Sequence, residues 1–284
     1  MNRKLHIIYR ISNNSYAKDK LWAENNKEIC LMNMFMTFGI HDDVDITIIK
    51  DNVTDPHTVE FINRMVQIYN TTYNKQVTLL DTSLGNAQSF WYAYEYALSN
   101  FTDLNDVVYL LEDDYFHLMG SYHSLMSGIE RSDYVSLYDH PDKYKNRSDG
   151  GDNPFIEYGG EVTRVILTAT DHWKLTNSTT MTFAAKIKTL KADQDVWKRH
   201  TSNGNHPNDF GAFIELRGIG RSVITPIPGM STHTELNYLT PLISYQLADS
   251  LETYYLSTIE YVSEKLILNC RDYIRNVIIK NATN

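Results

Sequence analysis

The run Val107-Val108-Tyr109-Leu110-Leu111 is apolar without a break and then stops on Glu112-Asp113-Asp114. Successive side chains of a strand point to opposite faces, so a strand of this kind must be covered on both. Two-sided cover is the condition of a parallel sheet flanked by helices, and the rest of the chain supplies its parts. Short β-branched and aromatic runs read as strands at Leu5–Ile11, Asp45–Ile49 and Gln76–Leu80, with Asp106–Leu111 fourth and Tyr134–Tyr138 fifth. Helical spacing lies between them. Ile29, Met32 and Met36 share a face of Lys27–Phe38, with Gly39 as the stop. Thr54-Asp55-Pro56 opens a helix to about Asn70, with Pro56 in the first turn, where its missing N–H costs nothing. Phe90, Tyr94 and Ala97 fall together on Gln88–Leu98, and another helix is expected from the acidic triplet to about Gly128. The expected fold class is therefore α/β, a mainly parallel, Rossmann-like central sheet with helices on both faces.

The pattern weakens between Asp139 and Glu161, and a connection of that length inside a compact domain is usually functional or mobile. Its glycine pairs would let it close over a ligand. Val162–Thr170 and Trp173–Thr182 read as a small antiparallel addition, followed by helices at Phe183–Lys191 and Gln194–His200. Asn203–Asn208 reads as loop, Phe210–Leu216 as helix and Ser222–Ile227 as strand. From Pro241 to Lys280 the chain reads as helical, with Ile259, Val262, Leu266 and Ile267 as an apolar stripe. No repeat or low-complexity linker interrupts the 284 residues, so one unit is expected. It comprises a domain over 1–240 and a helical extension over 241–284, packed on that domain or on a second copy in a homo-oligomer.

With 42% hydrophobic residues the chain has material for a large core, which excludes wholesale disorder. A net charge of −9, with the basic clusters Lys186–Lys191 and Arg271–Lys280 broken by apolar residues, argues against a nucleic-acid partner. A small anion held through a metal ion remains compatible. Cys30 and Cys270 each lie in apolar, helical stretches and read as reduced, buried thiols. The start of the sequence lacks the apolar core of a secretory signal, and no stretch approaches the ~18 apolar residues of a spanning helix. A cytoplasmic location is the expectation, and the Asn-x-Ser/Thr triplets at Asn52, Asn70, Asn100 and Asn177 read as accidents of composition. Arg271, Arg275 and Lys280 fit a solvated basic face or a peripheral membrane contact.

Three adjacent carboxylates at the carboxyl end of a buried strand lie where open α/β sheets bind ligands. In a partly dry cleft they repel one another, and a divalent cation such as Mg2+ or Mn2+ supplies the missing charge while taking phosphate oxygens as further ligands. The competing reading is a solvated acidic turn. Asp51 ends the second strand at the same edge, placed either to accept a hydrogen bond from a nucleoside or to turn the chain with Asn52. Asp209 precedes an apolar helix, as an N-cap or as a general base. His233, after the Pro226–Gly229 loop, is a metal ligand or a surface residue.

Taken in order, these parts resemble the GT-A-type glycosyltransferases, the nucleotide-diphospho-sugar transferase superfamily, in its family-2-like form. The resemblance runs from Leu5 to His233. It implies that Tyr9, Arg10 and Ser12 flank the nucleotide, that Asp51 meets the base, and that Leu84-Gly85-Asn86-Ala87-Gln88-Ser89 lines the ribose side, with Ser89 a contact. Glu112-Asp113-Asp114 resembles the DxD motif, with Glu for the first Asp. By that resemblance Asp114 and His233 hold Mn2+ or Mg2+, Glu112 and Asp113 face the nucleotide or sugar, and Asp209 is the catalytic base. The implied activity is an inverting, hexosyltransferase-type transfer from a nucleotide-diphosphate sugar donor to a hydroxyl of a glycan or other acceptor. Trp91, Tyr115, Tyr158 and Trp173 are candidate sugar-facing aromatics. The same acids would also serve a Mg2+-dependent nucleotidyltransferase or phosphoryl-transfer enzyme, although the sequence has no GxxxxGK[ST] run. A non-catalytic sugar-nucleotide-binding module follows if Asp209 only caps its helix.

Overall fold

The computed structural model describes residues 3–13 and 26–242. The expectations for 243–284, among them most of the helical extension, its apolar stripe and Cys270, lie outside the described residues. The chain order is β1 (Leu5–Ser12), α1 (Asn26–Met34, continued by a π turn over Phe35–Gly39), β2 (Val44–Asp51), α2 (Pro56–Tyr73), β3 (Thr78–Thr82), α3 (Asn86–Asn100) and β4 (Val107–Glu112). There follow β5 (Tyr115–His117), α4 (Ser121–Gly128), β6 (Tyr134–Val135), β7 (Ile156–Glu157), β8 (Gly160–Glu161), β9 (Val165–Leu167) and β10 (His172–Leu175). The last elements are β11 (Phe183–Lys186), α5 (Ile187–Thr201), α6 (Asp209–Gly218), β12 (Val223–Ile227) and β13 (Ser231–His233).

The main sheet runs β3-β2-β1-β4-β11-β6-β12-β10-β9, and β3, β2, β1 and β4 are mutually parallel. Side-chain alternation divides its core in two. Leu5, Ile7, Tyr9 and Ile11 of β1 and Val107, Tyr109 and Leu111 of β4 pack against α1, α2 and α4. Ile8 of β1 with Val108 and Leu110 of β4 faces α3, α5 and α6. The unbroken apolar run is thus covered on both sides. Local signals set the helix ends. Asp55 caps α2 by accepting from the Thr58 N–H at 2.8 Å, Pro56 occupies the first turn, and Asn74 ends the helix at φ +50°. β2 and β3 lie on one side of β1 and β4 on the other, so the chain reverses its winding between β1 and β4. That reversal is a topological switch point at the carboxyl ends of both strands, beside Ser12 and the acidic triplet, the place where open α/β sheets bind ligands.

Three expectations are corrected. The segment after the triplet begins not as helix but as β5, which pairs antiparallel with β13, a partner more than a hundred residues away that local periodicity does not reveal. Phe183–Lys186, read as the start of a helix, is β11, inserted between β4 and β6. Phe183 and Ala185 enter one core and Ala184 the other, and this two-sided burial overrides the helix preference of alanine. The two helices expected at 183–191 and 194–200 are the single helix α5. The fifth strand shortens to β6, and the antiparallel addition to β9 and β10. No helix among the described residues is long and apolar enough to cross a membrane.

Candidate active site at the β1–β4 edge

Arg10 on β1 pairs in register with Glu112 on β4. The Arg10 guanidinium donates to Glu112 Oε1 at 2.8 Å, to Ser89 Oγ at 3.0 Å and to the Asn86 carbonyl at 3.1 Å, and lies over the Phe90 ring. Burial pushes the Glu112 carboxyl up to about 7 against the pull of Arg10. Asp113 turns the other way, accepting from the Ser12 N–H at 2.9 Å and pairing with Lys27 Nζ at 2.8 Å. Burial raises its carboxyl too, and Lys27 opposes the rise. Asp114 faces His233, whose Nε2 is 3.2 Å from Oδ2. Each acid of the triplet thus faces a basic side chain from a different element, Arg10 of β1, Lys27 of α1 and His233 of β13. Lys27, at the start of α1, was missed because nothing local links it to residues 113 and 114.

The β5–β13 ladder is what brings His233 to Asp114. His233 is in register with Tyr115, and the Thr234 N–H donates to the Asp114 carbonyl at 2.9 Å. The His233 ring packs edge-on to Tyr115 and Tyr238 and receives the Glu235 N–H on Nδ1 at 3.0 Å. Burial opposes an imidazolium here, but the Asp114 charge and hydrogen bond win, so His233 is raised; by the same attraction, also against burial, Asp114 is lowered.

Among the described residues, no group of three or more His, Cys, Asp or Glu side chains is gathered as a metal cluster. Asp114 Oδ1 is nevertheless buried without a hydrogen-bond partner, on the carboxylate whose Oδ2 faces His233 Nε2. One such carboxylate oxygen and one such nitrogen fit a Mn2+ or Mg2+ ion that takes its remaining ligands from phosphate and water. While the Glu235 N–H donates to Nδ1, the proton of a neutral His233 ring sits on Nε2, and a cation at Nε2 has to displace it.

Several residues expected to touch a nucleotide are otherwise engaged. Tyr9 is wholly buried in the core that packs against α1 and α2, within range of the Asp113 and Asp114 charges. Ser89 is buried beneath Arg10. Asp51 accepts from Thr82 Oγ1 and the Leu84 N–H on Oδ1, and from the Gly85 N–H and Asn52 Nδ2 on Oδ2. Those four donors make it the organiser of the turn leading into α3, so the turn reading of Asp51 describes its contacts. Of the candidate sugar-facing aromatics, Trp173 and Tyr115 are core, Trp91 is half-buried against Tyr94, and Tyr158 is fully exposed.

Asp209 is the first residue of α6, but it is not the cap. Asn208 is the cap, its Oδ1 accepting from the Gly211 N–H at 2.9 Å. The Asp209 carboxylate accepts from the Phe210 N–H at 2.7 Å, and burial raises its pKa against that bond and the nearby charges of His140 and Lys143. The rings of His233, Tyr238 and His140 follow one another at 5.8 and 5.7 Å, linking the acidic turn to the surroundings of Asp209.

The segment from Asp139 to Glu161 is pinned at both ends. Lys174 of β10, 3% exposed, lies 2.9 Å from Asp139 and 3.3 Å from Glu161 and donates to the Tyr144 hydroxyl at 3.0 Å. Lys143 donates to Asn177 Oδ1 and Ser178 Oγ, and Asn153 and Asn177 exchange amide bonds. These buried anchors tie Asp139, Lys143, Asn153 and Glu161 to β10 and to residues 177–178.

A parallel β3-β2-β1-β4 sheet, extended antiparallel through β11 and carrying acids at the end of β4, is the architecture of the GT-A-type glycosyltransferases. No protein-family model and no curated protein matches the chain. Among solved structures, the chain is similar to GalNAc-T7 with UDP, GalNAc and Mn2+, at TM-score 0.52 and 11% identity over 81% of this chain and 43% of that one. It thus spans less than half of that protein. Matches at lower TM-scores are residues 1–349 of S. aureus TarS (0.47, 11% identity, 93% and 68% covered) and the mannosyltransferase PcManGT from Pyrobaculum calidifontis in complex with GDP-Man and Mn2+ (0.46, 14% identity, 96% and 70% covered). At these identities the likeness is one of fold.

Proposed function

We propose that this chain is a metal-dependent glycosyltransferase that moves a sugar from a nucleotide-diphosphate donor to an acceptor hydroxyl with inversion. The observation that carries the reading is the Asp114–His233 pair, held at the sheet's switch point with an unpartnered Asp114 oxygen. The donor lies across the β1–β4 edge, its nucleoside beside Ser12 and the turn that Asp51 holds. Asp114 and His233 hold Mn2+ or Mg2+, which when bound offsets the charge gathering on the leaving diphosphate. Arg10 and Lys27 keep Glu112 and Asp113 fixed on either side, so the acidic turn is organised before the donor arrives. Asp209 accepts the proton of the acceptor hydroxyl as that oxygen bonds to C1. The C1–O bond to the diphosphate breaks on the opposite face, and its electron pair leaves with the diphosphate. That Asn208 serves as the cap supports this role for Asp209 over a purely structural one. A raised carboxyl pKa suits a base, since a more basic carboxylate takes a proton more readily. Residues 1–240 carry this machinery and 241–284 form an appended segment.

The test is a calorimetric and thermal-shift panel of UDP, GDP, dTDP, CMP and their sugars, with and without Mn2+. One nucleotide should bind in a Mn2+-dependent manner to the wild type and lose that dependence in Asp114→Asn. Undiminished Mn2+-dependent binding in the variant refutes the site.

A further inference from the structure

One group of large apolar side chains is used by neither core. Phe155, 47% exposed, stacks on Phe210 with ring centroids 6.2 Å apart and planes at 28°. Phe210 directly follows Asp209 and its N–H donates to the Asp209 carboxylate at 2.7 Å, so this pair of rings starts one residue from the carboxylate. Tyr158, at the tip of the β7–β8 hairpin, is fully exposed and has φ +52°, a conformation that bulky residues adopt at a steric cost. With Gly159 at φ +76° it fills a turn position that asparagine or glycine occupies without strain. A tyrosine there buries nothing and strains the backbone, so folding stability does not account for it. The presentation is rigid. The Phe155 N–H donates to Asn153 Oδ1 at 3.1 Å, Asn153 is locked to Asn177, and the Gly159 N–H donates to Asn146 Oδ1 at 2.7 Å.

We propose that Phe155, Phe210 and Tyr158 form the acceptor subsite beside Asp209, and that the acceptor is a pyranose-based glycan. The proposal deepens the functional reading above and rests on its role for Asp209. A pyranose ring has a flat face of C–H bonds and a rim of hydroxyls. The face packs on the Phe155–Phe210 rings, which leaves a rim hydroxyl free to meet the Asp209 carboxylate. The Tyr158 phenol both donates and accepts, so it hydrogen-bonds a further sugar unit. Phe155 and Tyr158 flank the two-residue strand β7 on either side, hence are at most about 10 Å apart along the chain, which suits an oligosaccharide longer than one unit. A lipid tail calls for a continuous apolar groove, whereas Glu157, exposed, stands between the two aromatics.

Ligand-observed saturation-transfer NMR on the full chain, with maltotriose, cellotriose, mannotriose and chitotriose as probes, tests this. At least one trisaccharide should receive saturation from the wild type, and the effect should fall about five-fold or more in Phe155→Leu and in Tyr158→Gly. Tyr158→Gly relieves the strained φ, so its Tm should match or exceed the wild type while binding of UDP or GDP with Mn2+ is unchanged in both variants. No transfer to any of the four sugars, or equal transfer in the variants, overturns the subsite while leaving nucleotide binding intact. A wild type that binds no nucleotide overturns the enzyme reading and the subsite with it.

Discussion

Acid should destabilise this protein through one histidine more than through any surface charge. His117 ends β5, 1% exposed, with Nε2 2.8 Å from the Tyr109 hydroxyl and its ring edge-on to Phe38 at 5.0 Å. Burial pushes its pKa from 6.5 down to about 3. Between those values the unfolded chain binds a proton that the folded ring refuses. The contribution to stability is therefore intact above pH 6.5 and is lost progressively toward pH 3. Each pH unit inside the window costs about 1.4 kcal/mol, so the full window is worth about 5 kcal/mol, as much as the whole stability of many domains. His117→Phe keeps a ring in the same space and removes the titration, at a fixed cost of about 1 kcal/mol for the lost Tyr109 bond. The backbone bonds that Asn33 makes to residue 117 persist in the variant. Urea unfolding of both proteins at pH 6.5 and 4.5 isolates the effect, because carboxylate titrations cancel in the difference. Wild-type stability relative to the variant should fall by about 2.3 kcal/mol across that interval, since the unfolded ring is already half protonated at pH 6.5. Parallel pH profiles for the two proteins would refute the buried, neutral histidine.

Three further outcomes are expected. Asp209→Asn should reduce transfer by about 10²–10⁴-fold while leaving nucleotide binding untouched, and wild-type transfer should decline in acid at a pH above the ordinary carboxylate range, because burial raises this group; steady-state kinetics from pH 4 to 8 with calorimetry checks both. Arg10→Met leaves Glu112 buried without its cation and should cost about 3–5 kcal/mol in urea unfolding, most of it recovered in Arg10→Met/Glu112→Gln; a double variant as unstable as the single would contradict the pairing.

What the sequence disclosed was local or periodic. The two-faced apolar run of β4, the Asp55-Pro56 start of α2 and the acids at the strand end are each set by neighbours a few residues away, and all are where they were expected. Pairings across long stretches of chain were not legible. Nothing around Lys27 points to Asp113, nothing around Tyr115 announces β13, and Phe183-Ala184-Ala185-Lys186 looks helical until two strands close on it. The donors around Asp51 and the apolar groups around Tyr9 were likewise not legible, because distant segments of the chain supply them.

The three basic partners of the acidic turn come from positions 10, 27 and 233. Their separation joins folding to competence. A chain that has closed β1 against β4 but not yet laid down β13 leaves Asp114 buried beside two other acids with no imidazole to offset it. Such a half-formed species resists compaction at that edge, and a truncated product lacking the final strand inherits the same electrostatic handicap. Charge balance at this turn thus depends on β13 having paired with β5.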